Sequence, residues 1–327
     1  MASILVTGAA GFIGSHLCEK LLLRNDQVIG IDNFDPFYDR SLKEQNLSLL
    51  LSHPSFQFYE LNLCAPNSLL KALAHHKIDV VVHTAAKTGI LQSQRHPHDT
   101  ILNNIFGTLA VLDWMRASGC HNIIFTSSSS VYGRDAIAPF EEDHQSTVPL
   151  SVYASTKQIC ESLFHAYHRD YGFNSIVLRL FNVYGPRQRP DLAIHKFCRL
   201  IFEGSRIQIF GAGDSSRDYT HVDDVIQGIV ASVDYLGDHQ QSDLIINIGN
   251  NTPHKMLDVL HLLASHLQRP LTIVYEPEHP SEMKHTHADI RKAHALLGYS
   301  PKVDFETGVK QFVEWFIQKQ KKASYDD

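Results

Sequence analysis

The hydrophobic positions of the chain fall into short continuous runs rich in β-branched residues, separated by longer stretches with helical spacing. Runs that are apolar throughout, instead of alternating with polar residues, are typical of parallel strands buried on both faces. They predict strands at residues 4–6, 27–31, 56–59, 80–82, 123–126 and 175–180, with helices at 12–23, 99–116 and 152–171. The first half of the chain therefore predicts an α/β fold built on a doubly wound parallel sheet.

Beyond residue 180 this rhythm is interrupted by clusters of glycine, proline and arginine, GPRQRPD and FGAGDSSRD. The pattern then predicts a helix at 222–235 and strands at 245–248 and 272–275. A chain that leaves a sheet and returns to it is most simply divided into two units. We expect the first unit at 1–180 and 219–250, and a smaller, discontinuous C-terminal unit at 181–218 and 251–327.

Composition narrows the classes of protein that this chain can represent. With 327 residues and 43% hydrophobic content, the chain is long enough to bury a large core. Its net charge of -6 does not suggest a nucleic-acid partner, which would call for a basic face. The first apolar run is too short for a secretion signal or a membrane span, and the five scattered cysteines indicate reduced thiols. We therefore expect a cytoplasmic protein without a membrane partner.

The first predicted strand runs directly into a glycine loop, GAAGFIG at residues 8–14, which also begins the first helix. Glycines allow the backbone to approach a pyrophosphate, and the helix N-terminus offers unpaired amides to the anion. This arrangement is typical of dinucleotide-binding Rossmann folds. The predicted cofactor contacts of the loop are Gly8, Gly11, Phe12, Ile13 and Gly14.

An acidic residue, Asp32, closes the second predicted strand 18 positions after Gly14 (32 − 14). At this separation a carboxylate is expected to meet the adenosine ribose hydroxyls and to repel a 2'-phosphate. Asn33 and Phe34 follow it where an arginine would favour a phosphorylated ribose. The pattern predicts NAD as the cofactor, with Asn33 as a further contact, while Arg40 in the next loop keeps NADP as an alternative.

A second constellation combines a tyrosine and a lysine with a run of serines. Tyr153 and Lys157 are spaced i, i+4 in a predicted helix, so both side chains share one helix face. We expect the ammonium to stabilise the phenolate, to lower the tyrosine pKa and to make Tyr153 a general base. The strand at 123–126 ends in serines 127–130, which brings hydroxyls to the edge of the sheet where ligands bind.

Taken in order, these motifs resemble the extended short-chain dehydrogenases, the NAD-dependent nucleotide-sugar epimerases and dehydratases. The resemblance covers nearly the whole chain and includes GAAGFIG, Asp32, HTAA, NIFGT, SSSSVYG, YASTK, GPRQRPD, RDYTHVDDV and ADIRKAHALLGYSP. It implies that Ser128 supplies the hydroxyl that partners the base Tyr153, and that Lys157 also holds the nicotinamide ribose. It further implies cofactor contacts from Asn62, Leu63, Ala85, Ala86, Lys87, Asn104, Tyr153 and Lys157.

The serine loop indicates which reaction the resemblance implies. Related 4,6-dehydratases carry an Asp-Glu pair directly after the hydroxyl residue, where this chain has Ser129 and Ser130. Decarboxylating relatives require a glutamate in this loop, and reductase-epimerases require a cysteine in place of Ser130. The resemblance therefore favours an NAD-dependent 4-epimerase, an isomerase. A 4,6-dehydratase and a non-catalytic NAD-binding sensor remain as weaker alternatives.

The substrate follows from the same resemblance, which is strongest to UDP-glucuronate 4-epimerases. It implies that Arg217 binds the nucleotide diphosphate and that Arg189, or alternatively Arg187, faces the uronate carboxylate. An ion pair of Arg217 with Asp218 or Asp214 is the structural alternative. The remaining implied substrate contacts are Ser128, Ser129, Asn182 and Thr286.

Some positions leave room for UDP-glucose or UDP-N-acetylglucosamine as the substrate. Asn182 and Leu91 stand where uronate epimerases usually carry threonine and arginine, and the small side chain of Thr286 leaves space for an N-acetyl group as well as a carboxylate. The resemblance also implies a homodimer formed by the helices at 99–116 and 152–171. We expect no metal site, because none of the 21 histidines stands in a ligand pattern with zinc-like spacing.

Overall fold

A computed structural model describes residues 1–134, 136–144, 148–277 and 284–323, with side chains described as far as residue 321. Its centre is a seven-stranded sheet in the order β11-β6-β5-β4-β1-β2-β3, in which every pairing is parallel. The predicted doubly wound sheet is confirmed. The strands of this sheet are β1 Ser3–Thr7, β2 Gln27–Asp32, β3 Phe56–Glu60, β4 Val80–His83, β5 Asn122–Ser128, β6 Asn174–Leu180 and β11 Asp243–Ile248.

Helices cover both faces of the sheet and form two apolar cores with it. One core packs α1 and α9 against the sheet, and the other packs α6 and α7 against the opposite face. Because both faces are covered, the inner strands β1 and β4 are buried along nearly their whole length, as their sequences predict. The helices of the first 238 residues are α1 Phe12–Leu23, α2 Arg40–Leu47, α3 Ser68–Ala72, α4 Ile90–Arg95, α5 Pro97–Ile101, α6 Gly107–Ser118, α7 Val152–Tyr171, α8 Ala193–Phe202 and α9 Val222–Asp238.

The single helix predicted at 99–116 is interrupted by one wide turn. A π-helical segment, Leu102–Phe106, joins α5 to α6 without a break in the helical run. Single π turns inside helices often occur at functional sites, because the extra residue redirects a side chain. The turn contains Asn104, which is buried and reaches towards the loop that follows β4.

A separate apolar core lies among the elements that follow residue 180. It includes Tyr184, Ile194, Leu260 and Phe316. Ala293 and Tyr299 pack in the core on the α1 side of the sheet instead, although the predicted division places them in the second unit. The elements of this region are β7 Val183–Tyr184, β8 Ile207–Phe210, β9 Ser216–Asp218, β10 Thr220–His221, β12 Pro253–Lys255, β13 Ile273–Glu276, α10 Met256–Leu267, α11 Arg291–Leu297 and α12 Phe305–Ala323.

Asp218, at the end of β9, connects the segments around it. Its side chain is fully buried and accepts hydrogen bonds from the backbone amides of Asn250, Asn251 and Ala288 at 2.8, 3.0 and 2.9 Å. Among the helices of the described ranges, none is long and apolar enough to span a bilayer.

Candidate active site

A cleft of about 720 Å³ opens at the carboxyl ends of the central strands. The loops after β1, β2, β4 and β5 line this cleft together with residues of the segment 182–194. In open α/β sheets this edge is where ligands bind. The predicted site residues that line it are Gly8, Gly11, Phe12, Ile13, Gly14, Asp32, Asn33, Asn62, Leu63, Ala85, Ala86, Lys87, Ser128, Ser129, Tyr153, Lys157, Asn182, Arg189, Arg217 and Thr286.

The glycine loop forms a tight backbone cradle between β1 and α1. Gly8 has a φ of 74°, and a Cβ atom on Gly14 would lie 2.1 Å from the Gly8 carbonyl oxygen. Gly11 precedes the first residue of α1 and has no side chain to bond the free amides. The cradle therefore leaves helix N-terminal amides open to an anion, which fits a dinucleotide pyrophosphate.

Asp32 ends β2 and is held in a fixed orientation. Its carboxylate accepts hydrogen bonds from the amides of Ala10 at 3.2 Å and Phe34 at 2.8 Å. The ammonium of the buried Lys43 lies 3.6 Å from the same carboxylate. No local sequence pattern predicts this ion pair. This carboxylate, on the wall of the cleft, suits a ribose with free hydroxyls.

Arg40, on which the NADP alternative depended, is occupied elsewhere. Its guanidinium donates to Glu44 at 2.7 Å and to both carboxylate oxygens of Glu60 at 2.7 and 2.8 Å, and it lies over the Phe34 ring. Two acidic partners already compete for this charge, so the geometry favours an unphosphorylated ribose.

Asn104, a predicted cofactor contact, does not line the cleft. Its amide group accepts a hydrogen bond from the backbone N–H of Lys87 at 2.7 Å and donates to the Lys87 carbonyl at 2.9 Å. It also donates to the Thr156 hydroxyl at 3.0 Å, beside Lys157 in α7. The structure thus assigns Asn104 to anchoring the loop after β4 rather than to the cleft wall.

The serine, tyrosine and lysine predicted from the sequence meet on one side of the cleft. Ser128 ends β5, and its hydroxyl lies close enough to the phenol of Tyr153 to lower the pKa of that group. One helical turn further along α7, the ammonium of Lys157 lies 6.0 Å from the centre of the Tyr153 ring. It donates to the Thr126 carbonyl at 2.7 Å and lies over the Phe125 ring. A base, its hydroxyl partner and a fixed cation therefore share one site.

The pKa values at this site differ from the sequence expectation. Burial raises the pKa of Tyr153, and the nearby Ser128 hydroxyl and the charge of Arg189 only partly oppose this shift. Burial also lowers the pKa of Lys157 to about 8. The net shift of the Tyr153 pKa is therefore opposite to the lowering predicted from the sequence, because desolvation outweighs the neighbouring charges and the Lys157 ammonium is directed to a backbone carbonyl.

A buried ionic network, which sequence reasoning missed, supports the base. Arg179 on β6 donates to both carboxylate oxygens of Glu161 at 2.8 and 3.2 Å, and Glu161 accepts a hydrogen bond from the Ser127 hydroxyl. Glu161 lies one turn after Lys157 in α7. The network ties α7, which carries the base, to the end of β5, where Ser128 lies.

The two candidate arginines of the GPRQRPD segment have different environments. Arg189 lines the cleft, donates to the Thr88 hydroxyl and donates to Asp191 at 3.0 Å. Its buried Nε has no hydrogen-bond partner within the described part of the chain. Arg187 does not line the cleft, because its guanidinium forms a two-point ion pair with Glu19 on α1 at 2.7 and 2.8 Å. Arg187, the alternative predicted contact for the uronate carboxylate, therefore lies outside the cleft lining.

The remaining substrate candidates cluster near Thr286. The Thr286 hydroxyl donates to Asn182 at 3.4 Å and accepts the amide of Asp218 at 3.0 Å. Arg217 lines the cleft and donates hydrogen bonds to the carbonyls of Ser216 and Lys284 at 3.0 and 2.8 Å. The Asp218 carboxylate, its alternative partner, accepts hydrogen bonds from backbone amides instead.

Two further expectations concern the segment before Thr286 and the absence of a metal site. Residues 278–283, in the segment just before Thr286, lie outside the described residues. Over the described ranges, we find no group of three or more histidine, cysteine or acidic side chains arranged to hold a metal ion.

Comparisons with known proteins place this geometry in context. The model of the NAD dependent epimerase/dehydratase family matches residues 4–249. A UDP-glucuronate 4-epimerase from Thermodesulfobacterium geofontis is 37% identical over 316 residues, which are 96% of this chain and 96% of that protein.

Solved structures agree with the sequence comparison. The structure of UDP-glucuronic acid 4-epimerase from Bacillus cereus, in complex with UDP-glucuronic acid and NAD, superposes with a TM-score of 0.90 at 38% identity, covering 97% of this chain and 99% of that one. UDP-glucose 4-epimerase from Thermotoga maritima, with UDP-glucose, reaches a TM-score of 0.87 at 31% identity, with coverage of 97% and 99%.

Proposed function

Because this chain belongs to the NAD-dependent epimerase/dehydratase family, we propose that it is an NAD-dependent UDP-sugar 4-epimerase whose preferred substrate is UDP-glucuronate. The family resemblance expected from the motifs is confirmed. The observation that carries the proposal is the grouping of Ser128, Tyr153 and Lys157 in the cleft, with Ser129 and Ser130 where dehydration would need carboxylates.

The residues of the cleft fit NAD. The amides of the glycine loop suit the pyrophosphate, and Asp32 suits the adenosine ribose. Lys157 lines the cleft beside Tyr153, where it suits the second ribose. When bound, NAD supplies a hydride acceptor for carbon 4 of the sugar and then a hydride donor to the same carbon.

Side chains of the protein accept and return the proton of the 4-hydroxyl group. Tyr153 accepts this proton as carbon 4 is oxidised, and the Ser128 hydroxyl orients the phenol and the sugar oxygen. The Lys157 ammonium stabilises the developing phenolate. On reduction at the opposite face of carbon 4, Tyr153 returns the proton. The cycle needs no second acid or base, which agrees with the serines at 129 and 130.

Arg189 supports the uronate as the preferred substrate. Its guanidinium is close enough to influence the Tyr153 pKa, and its buried Nε is unpartnered among the described residues. A planar guanidinium is suited to a carboxylate, because it presents several donors in a fixed geometry. Relatives named as UDP-glucuronate 4-epimerases support the same choice.

The experiment that tests this function is a direct comparison of substrates. Purified protein is incubated with UDP-glucuronate, UDP-glucose and UDP-N-acetylglucosamine, and the 4-epimers are separated by chromatography. We expect interconversion of UDP-glucuronate with the highest kcat/KM. UDP-glucose is the second candidate, because a UDP-glucose 4-epimerase is also among the structural relatives. A protein that converts none of the three is not an epimerase.

We further propose that the enzyme is a cytoplasmic homodimer. Ile101, Leu102 and Phe106 on the α5–α6 run, and Ile159 on α7, are 38, 47, 55 and 44% exposed, which leaves apolar side chains on the two helices expected to pair with a second copy. Phe106→Glu should convert a dimer to a monomer in light scattering. Leu23→Glu, at an exposed apolar position on α1, is the matched control and should leave the mass unchanged.

A further inference from the structure

An ion pair crosses the cleft between two loops that are distant in sequence. The Lys87 ammonium lies 3.1 Å from a carboxylate oxygen of Asp35. Lys87 follows β4 and Asp35 follows β2, and these strands flank β1 on its two sides. The glycine loop follows β1, so it emerges from the sheet edge between the two loops that the ion pair joins. Asp35, Lys87 and the glycine loop line the same cleft.

The pair is held in place from both ends. Asn104 fixes the backbone of Lys87 through two hydrogen bonds, and the second carboxylate oxygen of Asp35 accepts the amide of Phe37 at 3.1 Å. The side chains of Lys87 and Asp35 are only 21 and 22% exposed, so water and salt screen their attraction less than at an open surface.

The charge of Lys87 persists at neutral pH. Burial acts to lower its pKa, but the hydrogen bond to Asp35 and the charges of Asp35 and Asp99 outweigh this effect and raise the pKa above its ordinary value. Asp99, on α5, lies 3.4 Å from the same ammonium but is 58% exposed and does not line the cleft. It therefore shares the charge of Lys87 without bridging the glycine loop.

We propose that Lys87 and Asp35 form a strap that closes over the diphosphate of bound NAD and slows release of the cofactor. The inference rests on the proposed function, in which the cofactor is regenerated within each turnover and need not leave between turnovers. A lysine that served only as a phosphate ligand would need no acidic partner. The role of Asp35 therefore distinguishes a strap from a simple phosphate contact.

The test measures NAD release from the intact protein, independently of epimerisation. Holoenzyme loaded with radiolabelled NAD is chased with excess unlabelled NAD, and the retained label is followed with time. Asp35→Asn and Lys87→Gln should each release NAD about five- to tenfold faster than the wild-type protein, the effect of losing one partly shielded ion pair. The double variant should release it no faster than the quicker single variant, because both changes break the same bond.

Asp99→Asn is the matched control, because it removes an acidic partner of the same ammonium outside the cleft. Its release rate should stay within about twofold of the wild-type rate. Release from Asp35→Asn that is as slow as wild type, or slower, would overturn the strap, as would equal acceleration by Asp99→Asn. In those cases the proposed function stands. A wild-type protein that binds NAD but releases it at once refutes the strap alone, and one that binds no NAD refutes both proposals.

Discussion

The Lys157 ammonium lies 6.0 Å from the centre of the Tyr153 ring, one turn along α7, while it donates to the Thr126 carbonyl at 2.7 Å. The backbone of β5 therefore sets the position of the cation relative to the base. Since burial lowers the pKa of Lys157 to about 8, the ammonium that stabilises the phenolate is present at neutral pH and is lost in mildly alkaline solution.

The first prediction concerns the alkaline limb of the pH profile. Lys157 is charged below a pKa of about 8, so kcat/KM should fall as the pH rises through that value. Lys157→Arg keeps its charge throughout this range and should lack the limb near pH 8, even if its overall rate is lower. Profiles of kcat/KM between pH 6 and 10 (the assay range) check this; an unchanged limb in the arginine variant would assign the ionisation to another group.

The second prediction is that Tyr153→Phe separates binding from turnover. The phenol supplies the proton transfer, a contribution of about 100- to 10,000-fold in rate for general acid–base groups. We expect kcat to fall by at least about 100-fold. NAD content and the Kd for UDP-glucuronate, measured by calorimetry, should change by less than about threefold, because the phenylalanine ring fills the same space. A variant with near wild-type kcat would remove Tyr153 as the base.

The third prediction compares the two arginines of the GPRQRPD segment. Arg189→Ala removes a guanidinium from the cleft wall and should lower kcat/KM for UDP-glucuronate about 10- to 100-fold more than kcat/KM for UDP-glucose. Arg187→Ala breaks an ion pair with Glu19 outside the cleft and should affect both substrates equally. If Arg189→Ala lowers kcat/KM for both sugars to the same extent, this arginine does not bind the carboxylate.

The fourth prediction concerns the buried ion pair between Arg179 and Glu161, close to the base Tyr153. The side chains of Arg179 and Glu161 are each only 8% exposed, so Glu161→Ala leaves a buried guanidinium without its carboxylate. Breaking such a pair costs about 3–5 kcal/mol in the free energy of unfolding, which denaturant titration can measure. Glu203→Ala removes the exposed partner of Arg199 on α8 and should cost less than about 0.5 kcal/mol. Equal losses would mean that burial of the pair does not stabilise the fold.

Local sequence predicted much of the fold because its signals act over a few residues. The bounds of α1 and α7 follow from such signals: Gly11 precedes α1, the Ser151 hydroxyl accepts the Ala154 amide at 3.1 Å, and Gly172 ends α7 with a φ of 68°. The positions of Tyr153 and Lys157 follow directly from those bounds.

The missed features depend on contacts between distant segments. The Asp32–Lys43 and Glu161–Arg179 pairs join separate elements, and no periodicity in the sequence announces them. Arg187 and Arg189 are two positions apart, but Arg187 adopts a φ of 66° and is directed to Glu19, whereas Arg189 faces the cleft. Family resemblance named both arginines, and only the folded backbone distinguishes them.

The most direct test of the central claim follows the hydrogen on carbon 4. Purified enzyme is incubated with UDP-glucuronate deuterated at that carbon, and the product is analysed by mass spectrometry and NMR. The proposed cycle predicts UDP-galacturonate that keeps the deuterium at carbon 4, because the hydride that leaves the carbon is the one that returns to it. Formation of no 4-epimer, or of an epimer whose deuterium has exchanged with solvent, would contradict the proposed mechanism.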